Sequence, residues 1–358
     1  MEMTERQRRA LYALVGCLAL LFLGAGIGAM RKPAVPAPLY RPKVVAFYVD
    51  EPGHPTDSFP SLKAHGRLVD EISPLWYSIM PDGSLDVKVN REALRVARSY
   101  GLRVVPLINV GKNDDTFLRD PAVRDRTIAN IVDVVKREGY DGINLDVQLM
   151  PVDGKNFAHD RDLLTDFVRR LRDALKPMGK TLAVSVVPHV QVSPEVSGIY
   201  DYGALAQLVD KVALMTYDRH QDSSPPGPVA PFGWVEDNIK EALNQGFRRE
   251  QILLGIATYG YDWPAGRAGG FSRPTKDIME HASRLGVPVK WSDQYQEPYY
   301  IYTAPNGKQR EIWFENSYTF RQKIELMKKY RLAGIAIWRL GFEEKHFWDA
   351  LKRHFPGK

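Results

Sequence analysis

The sequence predicts an α/β protein: a (β/α)8 barrel (TIM barrel) with a small α+β insertion after its seventh strand, preceded by an N-terminal transmembrane anchor. Three observations predict this. From Val44 onward, short β-rich runs alternate with amphipathic helical stretches; eight such runs can be counted; and an uncharged apolar run fills Ala10 to Met30. Alternating strands and helices favour parallel strands joined by helical crossovers. Eight β/α units in about 315 residues point to a closed barrel ahead of an open doubly wound sheet.

In chain order, Ala10 to Met30 is long enough to cross a ~30 Å hydrocarbon core as a helix. Arg6, Arg8 and Arg9 precede it, which places the amino terminus in the cytoplasm and the remaining chain outside, on the cell membrane. A signal peptide cleaved near the Gly/Ala-rich end, giving a secreted chain, is the competing reading; the apolar run exceeds the usual signal-peptide core and favours the anchor. Residues 1–30 thus form the basic tip and anchor, residues 31–42 a proline-rich extended linker, and residues 43–358 the barrel. The only cysteine, Cys17, lies in the apolar run, so no disulfide can form within one chain.

The eight runs are Lys43 to Asp50, Ile72 to Ile79, Leu102 to Val110, Gly142 to Gln148, Thr181 to Pro188, Lys211 to Asp218, Ile252 to Trp263 and Gly334 to Leu340. The clearest helix is Asp160 to Leu175, where Leu163, Leu164, Phe167, Val168, Leu171 and Leu175 share one face. Between about 264 and 316, aromatic-rich alternation and an Asn306-Gly307 pair predict a small antiparallel sheet with a tight hairpin. In a barrel this insertion stands beside the mouth, where the loops after the strands build the site.

Composition narrows the function. With 44% apolar and 26% charged residues the chain is ordinary globular material, and its net charge of +6 comes without a Lys/Arg run interleaved with aromatics, so nucleic acid is not an expected partner. No Gly-rich phosphate loop follows the first strand and no histidines show paired metal-ligand spacing. Neither a cofactor nor a metal is expected.

The strand ends carry the chemistry. Tyr48 and Asp50 end the first run, Trp76 lies in the second, Asp146 and Gln148 end the fourth, Tyr217 and Asp218 end the sixth, and Trp338 lies near the end of the eighth. In "YDGINLDVQLM" the two-residue period puts Asn144, Asp146 and Gln148 on one side of the strand. Aromatic faces around a few fixed polar groups suit a sugar ring, with Tyr48, Trp76 and Trp338 as stacking surfaces.

At this point a resemblance becomes specific. "DGINLDVQ" resembles the D-G-x-D-x-D-x-E signature of glycoside hydrolase family 18, "LMTYD" (Leu214 to Asp218) its sixth-strand motif and Trp338 its eighth-strand tryptophan; "GPVAPFGWV", "ILLGIATYGYDW", "IWFEN" and "IWRLG" resemble the bacterial branch that includes spore-cortex and spore-germination glycosidases. The resemblance implies substrate-assisted hydrolysis of glycans containing β-linked N-acetylglucosamine, peptidoglycan or chitin-like, in which the sugar's own acetamide attacks the anomeric carbon. It implies that Asp146 orients the acetamide, Tyr217 holds its carbonyl, Trp338 floors the subsite and Asp218 contacts the same sugar. Asn144 replaces the first aspartate of the inner pair. Gln148 stands where the family has its glutamic acid, and a glutamine has no acidic proton to give.

Three readings follow. The leading one is a carbohydrate-binding family 18-like barrel, a pseudoenzyme with weak or no hydrolysis. The second is an active hydrolase with a relocated acid, Glu51, Asp262 or Glu315 being the candidates. The third is a non-catalytic scaffold that binds a protein.

Overall fold

The computed structural model describes residues 40–149 and 160–355. The expected anchor and Cys17, and most of the linker, lie outside the described residues. Among the described residues no helix is long and apolar enough to cross a membrane.

Eight parallel strands close on themselves: β1 (Lys43–Tyr48), β2 (Glu71–Ile79), β3 (Leu107–Val110), β4 (Gly142–Asp146), β5 (Thr181–Val186), β6 (Lys211–Leu214), β7 (Ile252–Ala257) and β8 (Gly334–Trp338). Each pairs with the next. Closure comes from β1, which pairs with β2 on one side and β8 on the other.

Helices cover the outside of the ring for local reasons. Pro121–Glu138 begins on Asp120, whose carboxylate accepts the backbone N–H of Ala122 and Val123; Pro121 occupies the first turn, and Gly139 ends the helix in the left-handed region at φ +66°. Arg161–Leu175 buries Leu164, Phe167, Val168, Leu171 and Leu175; Leu163, the remaining residue of the face that the periodicity indicates, is half-buried at its edge. The strands therefore carry two apolar faces. Val44, Ala46, Ile143, Leu145, Val184 and Ile335 pack outward against helices, while Val45, Phe47, Leu107, Ala213, Leu253 and Ala336 form a smaller core inside the ring.

Some strands are shorter than their apolar runs. Pro106, which has no N–H, splits the third run into Arg103–Val104 and β3. The seventh run divides at Thr258: β7 stays in the barrel, while Tyr259–Pro264 joins a separate sheet. No Gly or Pro marks that change, because the Thr258 backbone N–H and hydroxyl both donate to the Trp338 carbonyl, each at 3.0 Å, and hold the hinge through β8. The separate sheet has five antiparallel strands, completed by Phe271–Pro274, Gln309–Phe314, Glu297–Thr303 and Lys290–Ser292. Its hairpin turns at Gly307, φ +78°, whose N–H donates to Ala304. Helix Thr275–Leu285 packs on one side through Ile278 and Ala282 against Tyr300, Ile312 and Phe314. Arg41–Lys358, insertion included, form one compact unit.

Gly142 at the start of β4 has no room for a side chain, since a Cβ there would lie 2.1 Å from the Thr181 carbonyl oxygen on β5. Gly142→Ala is expected to lower stability by about 3 kcal/mol, the upper end of overpacking costs, because the neighbour is backbone and cannot rotate away. Urea unfolding measures this, and a loss below about 1 kcal/mol would show that β4 and β5 can separate there at little cost.

Candidate active site

At the carboxyl ends of the strands lies a cavity of about 380 Å³. Asp146, Gln148, Tyr217, Asp218 and Trp338 line it together. Around them the structure adds Phe47, Ser185, Met215, Gln191, Arg219 and Gln221.

Asp146 is the last residue of β4 and faces inward, 7% exposed. Gln148, two residues on and beyond the hydrogen-bonded strand, keeps that direction. Its Nε2 donates to both carboxylate oxygens of Asp146, at 2.9 and 3.1 Å, and lies 3.5 Å from the Met215 sulfur. Burial pushes the Asp146 carboxyl up to about 6, against the lowering effect of the Gln148 hydrogen bond. Its immediate partner is thus an amide that stabilises its anion, and Gln148 itself reaches solvent.

The sixth strand ends at Leu214, so Tyr217 and Asp218 sit on irregular backbone above it. Room for the Tyr217 ring comes from Gly255 on β7: a Cβ there would lie 2.9 Å from the ring and 2.5 Å from the Leu214 carbonyl oxygen. Burial, then the charges of Asp218 and Asp146, hold the Tyr217 phenol in its neutral form. Asp218 adopts φ +61°. One of its oxygens accepts the hydroxyls of Tyr259 (2.6 Å) and Tyr261 (3.0 Å), and burial raises its pKa while both tyrosines oppose the rise. Trp338 packs edge-on against Phe47, ring centroids 5.2 Å apart, and the peptide bond after it is cis.

Three expected site residues do not line the cavity. Tyr48 and Trp76, 0% and 1% exposed, face the helices. The Tyr48 hydroxyl and the Trp76 Nε1 donate to opposite oxygens of Asp50, at 2.6 and 2.8 Å, and Asn90 Nδ2 donates to the first at 2.6 Å. The reason is parity. Tyr48 shares the outward side of β1 with Val44 and Ala46, and the inward residue at the mouth is Phe47. Asn144 faces inward but one step deeper, 3% exposed, with its amide donating to the Ser185 hydroxyl at 3.1 Å. It supports the cavity floor from below.

The candidate replacement acids also sit elsewhere. Glu51 binds the Arg339 guanidinium at 2.8 Å and accepts from Thr56. Asp262 is held by Arg273 (2.9 Å), Arg310 (2.6 Å) and Tyr302 (2.8 Å). Glu315 is buried against Lys323. Among the described residues, the carboxylates lining the cavity are Asp146 and Asp218, and no group of three or more His, Cys, Asp or Glu is arranged to hold a metal ion.

Tyr259, Tyr261 and Phe47 were absent from the expected site. The tyrosines alternate in "TYGYDW" and could have been read as one face; Phe47 could not, because both faces of β1 are apolar.

The sequence profile of Glycosyl hydrolases family 18 matches residues 82–343. A Bacillus subtilis (strain 168) protein, provisionally named as the sporulation-specific glycosylase YdhD, is 32% identical over 284 residues, which cover 75% of this chain and 65% of that protein. The cortical fragment-lytic enzyme of Bacillus anthracis is 30% identical over 246 residues, covering 67% of this chain and 55% of that protein. This chain therefore spans less than two thirds of the length of either relative. Among solved structures, a chitinase from Chromobacterium violaceum ATCC 12472 superposes with a TM-score of 0.79 at 24% identity, covering 88% of this chain and 100% of the other, a likeness of fold. With the barrel, the residues at its mouth and a profile match across more than half its length, the chain belongs to glycosyl hydrolases family 18.

Proposed function

We propose that this protein binds glycans containing β-1,4-linked N-acetylglucosamine in the cavity at the carboxyl ends of the strands, with little or no hydrolysis. The observation that carries the reading is the pairing of Gln148 with Asp146. An amide occupies the acid position, keeps the hydrogen bond to the neighbouring aspartate and has no proton to give a leaving oxygen. The positions of Glu51, Asp262 and Glu315 outside the cavity support the same reading. Membership of the family supports a glycan ligand, the names of the two Bacillus relatives favour a wall polymer over chitin, and the apolar run at Ala10 to Met30 favours action outside the cytoplasmic membrane.

In this reading the sugar's acetamide is received by Asp146 and Tyr217, Asp218 contacts the same sugar, and Trp338 provides the apolar face under it. Binding needs none of these groups to be acidic. Hydrolysis needs an acid at the position of Gln148, because a sugar alkoxide is a poor leaving group, and general acid catalysis contributes roughly 10²–10⁴-fold.

Gln148→Glu tests the acid directly. A glutamic acid at the same distance from Asp146 would form a carboxyl pair that cannot readily hold two charges, so one proton would stay on the pair near neutral pH. Isothermal titration with N-acetylchitotetraose should show binding by both proteins, while turnover of a reporter chito-oligosaccharide should rise by roughly 10²-fold or more in the variant. Robust turnover by the native protein would overturn the reading.

Burial of Asp146 also has a pH signature. The raised pKa of about 6 means that the native state binds a proton more tightly than the unfolded chain does. The stability linked to this group is fully present below about pH 4, the unfolded value, and is lost as pH rises through about 6. Asp146→Asn should therefore gain stability relative to the native protein on going from pH 4 to pH 8, by up to about 3 kcal/mol. Denaturant melts of both proteins at the two pH values check this; an unchanged difference would mean that Asp146 titrates normally.

A further inference from the structure

We propose that Arg219 makes the cavity selective for glycans whose sugars carry a carboxylate, of the 3-O-lactyl type found on N-acetylmuramic acid, over the neutral polymer of N-acetylglucosamine. The inference rests on the glycan-binding reading above and names the substrate class within it.

Among the described residues lining the cavity, Arg219 is the one cation. It forms no ion pair with a described residue. Its guanidinium makes one long contact, Nη2 to the Gln191 side-chain oxygen at 3.4 Å, leaving most of its five N–H donors unused by side chains. The two cavity carboxylates are otherwise engaged: Asp146 accepts from Gln148, and Asp218 accepts from Tyr259 and Tyr261. His220, the next residue, turns its ring to the Pro225 carbonyl.

The position of Arg219 is built by the fold. Its backbone N–H donates to the Val229 carbonyl at 2.9 Å, across a loop pinned to the insertion where the fully buried Glu297 accepts the N–H groups of Val229 (2.6 Å) and Ala230 (2.9 Å). A second pin is the Trp263 Nε1 on the Gln221 carbonyl at 3.0 Å. The guanidinium fork rises from a pinned backbone, so binding has only its own side chain to order. It also matches a carboxylate with two parallel hydrogen bonds, which an ammonium cannot do. A neutral acetamide or hydroxyl gains far less from the same fork.

The test is isothermal titration of the full chain with three tetrasaccharides: N-acetylchitotetraose, the alternating N-acetylglucosamine–N-acetylmuramic acid form with free lactyl carboxylates, and the methyl ester of that form. The native protein should bind the free acid about 10-fold more tightly than the ester and chitotetraose, as expected for a charge-assisted hydrogen-bonded pair. The acid-to-ester ratio should fall to about one in Arg219→Gln, remain partly in Arg219→Lys, and shrink as salt is raised. Equal affinity for acid and ester in the native protein would overturn the proposal while leaving glycan binding in place, as would a ratio that survives Arg219→Gln. No binding of any tetrasaccharide by the folded native protein would overturn both this inference and the glycan-binding reading beneath it.

Discussion

In a closed barrel of parallel strands each strand can turn only alternate residues inward, and the cavity depends on which residues β4 places there. Ile143, Leu145 and Val147 go to the helix-packed layer. Asn144 and Asp146 go inside, and Gln148 continues the same side past the last ladder bond. Because Asn144 and Asp146 are buried from water, each must find a protein partner. Asn144 finds Ser185 on the next strand, and Asp146 finds Gln148. A one-residue shift of β4 would bury the amide and carboxylate against helices and turn leucine and valine into the mouth.

A second constraint comes from the insertion, which shapes one wall of the cavity through the loop after β6. Asp218 is fixed by two tyrosines of the strand that follows β7, Gln221 by Trp263, Asp222 by the backbone N–H groups of Gly269 and Gly270, and Val229 and Ala230 by Glu297. Among the described residues, Glu297 has no direct cation partner. Burial and the nearby Glu315 push its pKa well up while Lys323 opposes them, and its two backbone donors favour the charged form. The loop is therefore held by groups that belong to a different sheet, and its conformation depends on the insertion as much as on the barrel.

The barrel was legible because strand and helix periods alternate cleanly and the eight apolar runs recur. The fourth-strand site was legible for a narrower reason: β4 is polar on its inner face and apolar on its outer face, so its alternation discloses which way each residue points. On β1 that signal vanishes. Val44, Val45, Ala46 and Phe47 are all apolar because a parallel strand is buried on both sides, and Tyr48 at its end looks like a mouth residue when it is an anchor for Asp50. Trp76 misleads in the same way. The loop contacts of Asp218 were out of reach, since a carboxylate meeting tyrosines some forty residues away leaves no local trace.

The amide at position 148 differs from an acid there in more than the missing proton. A protonated carboxyl donates a single hydrogen bond, and only while it keeps its proton; ionised, it would repel Asp146. The Gln148 Nε2 donates at every pH and reaches both oxygens of Asp146. It stabilises the aspartate as an anion and as an oriented acceptor, in a place where burial alone drives it towards the neutral form. A hydrolase needs the pair to exchange a proton during turnover. A binding site needs the acceptor to stay in one orientation, and a permanent donor two residues away along the same side of the chain supplies that constraint without placing a second charge beside Asp146.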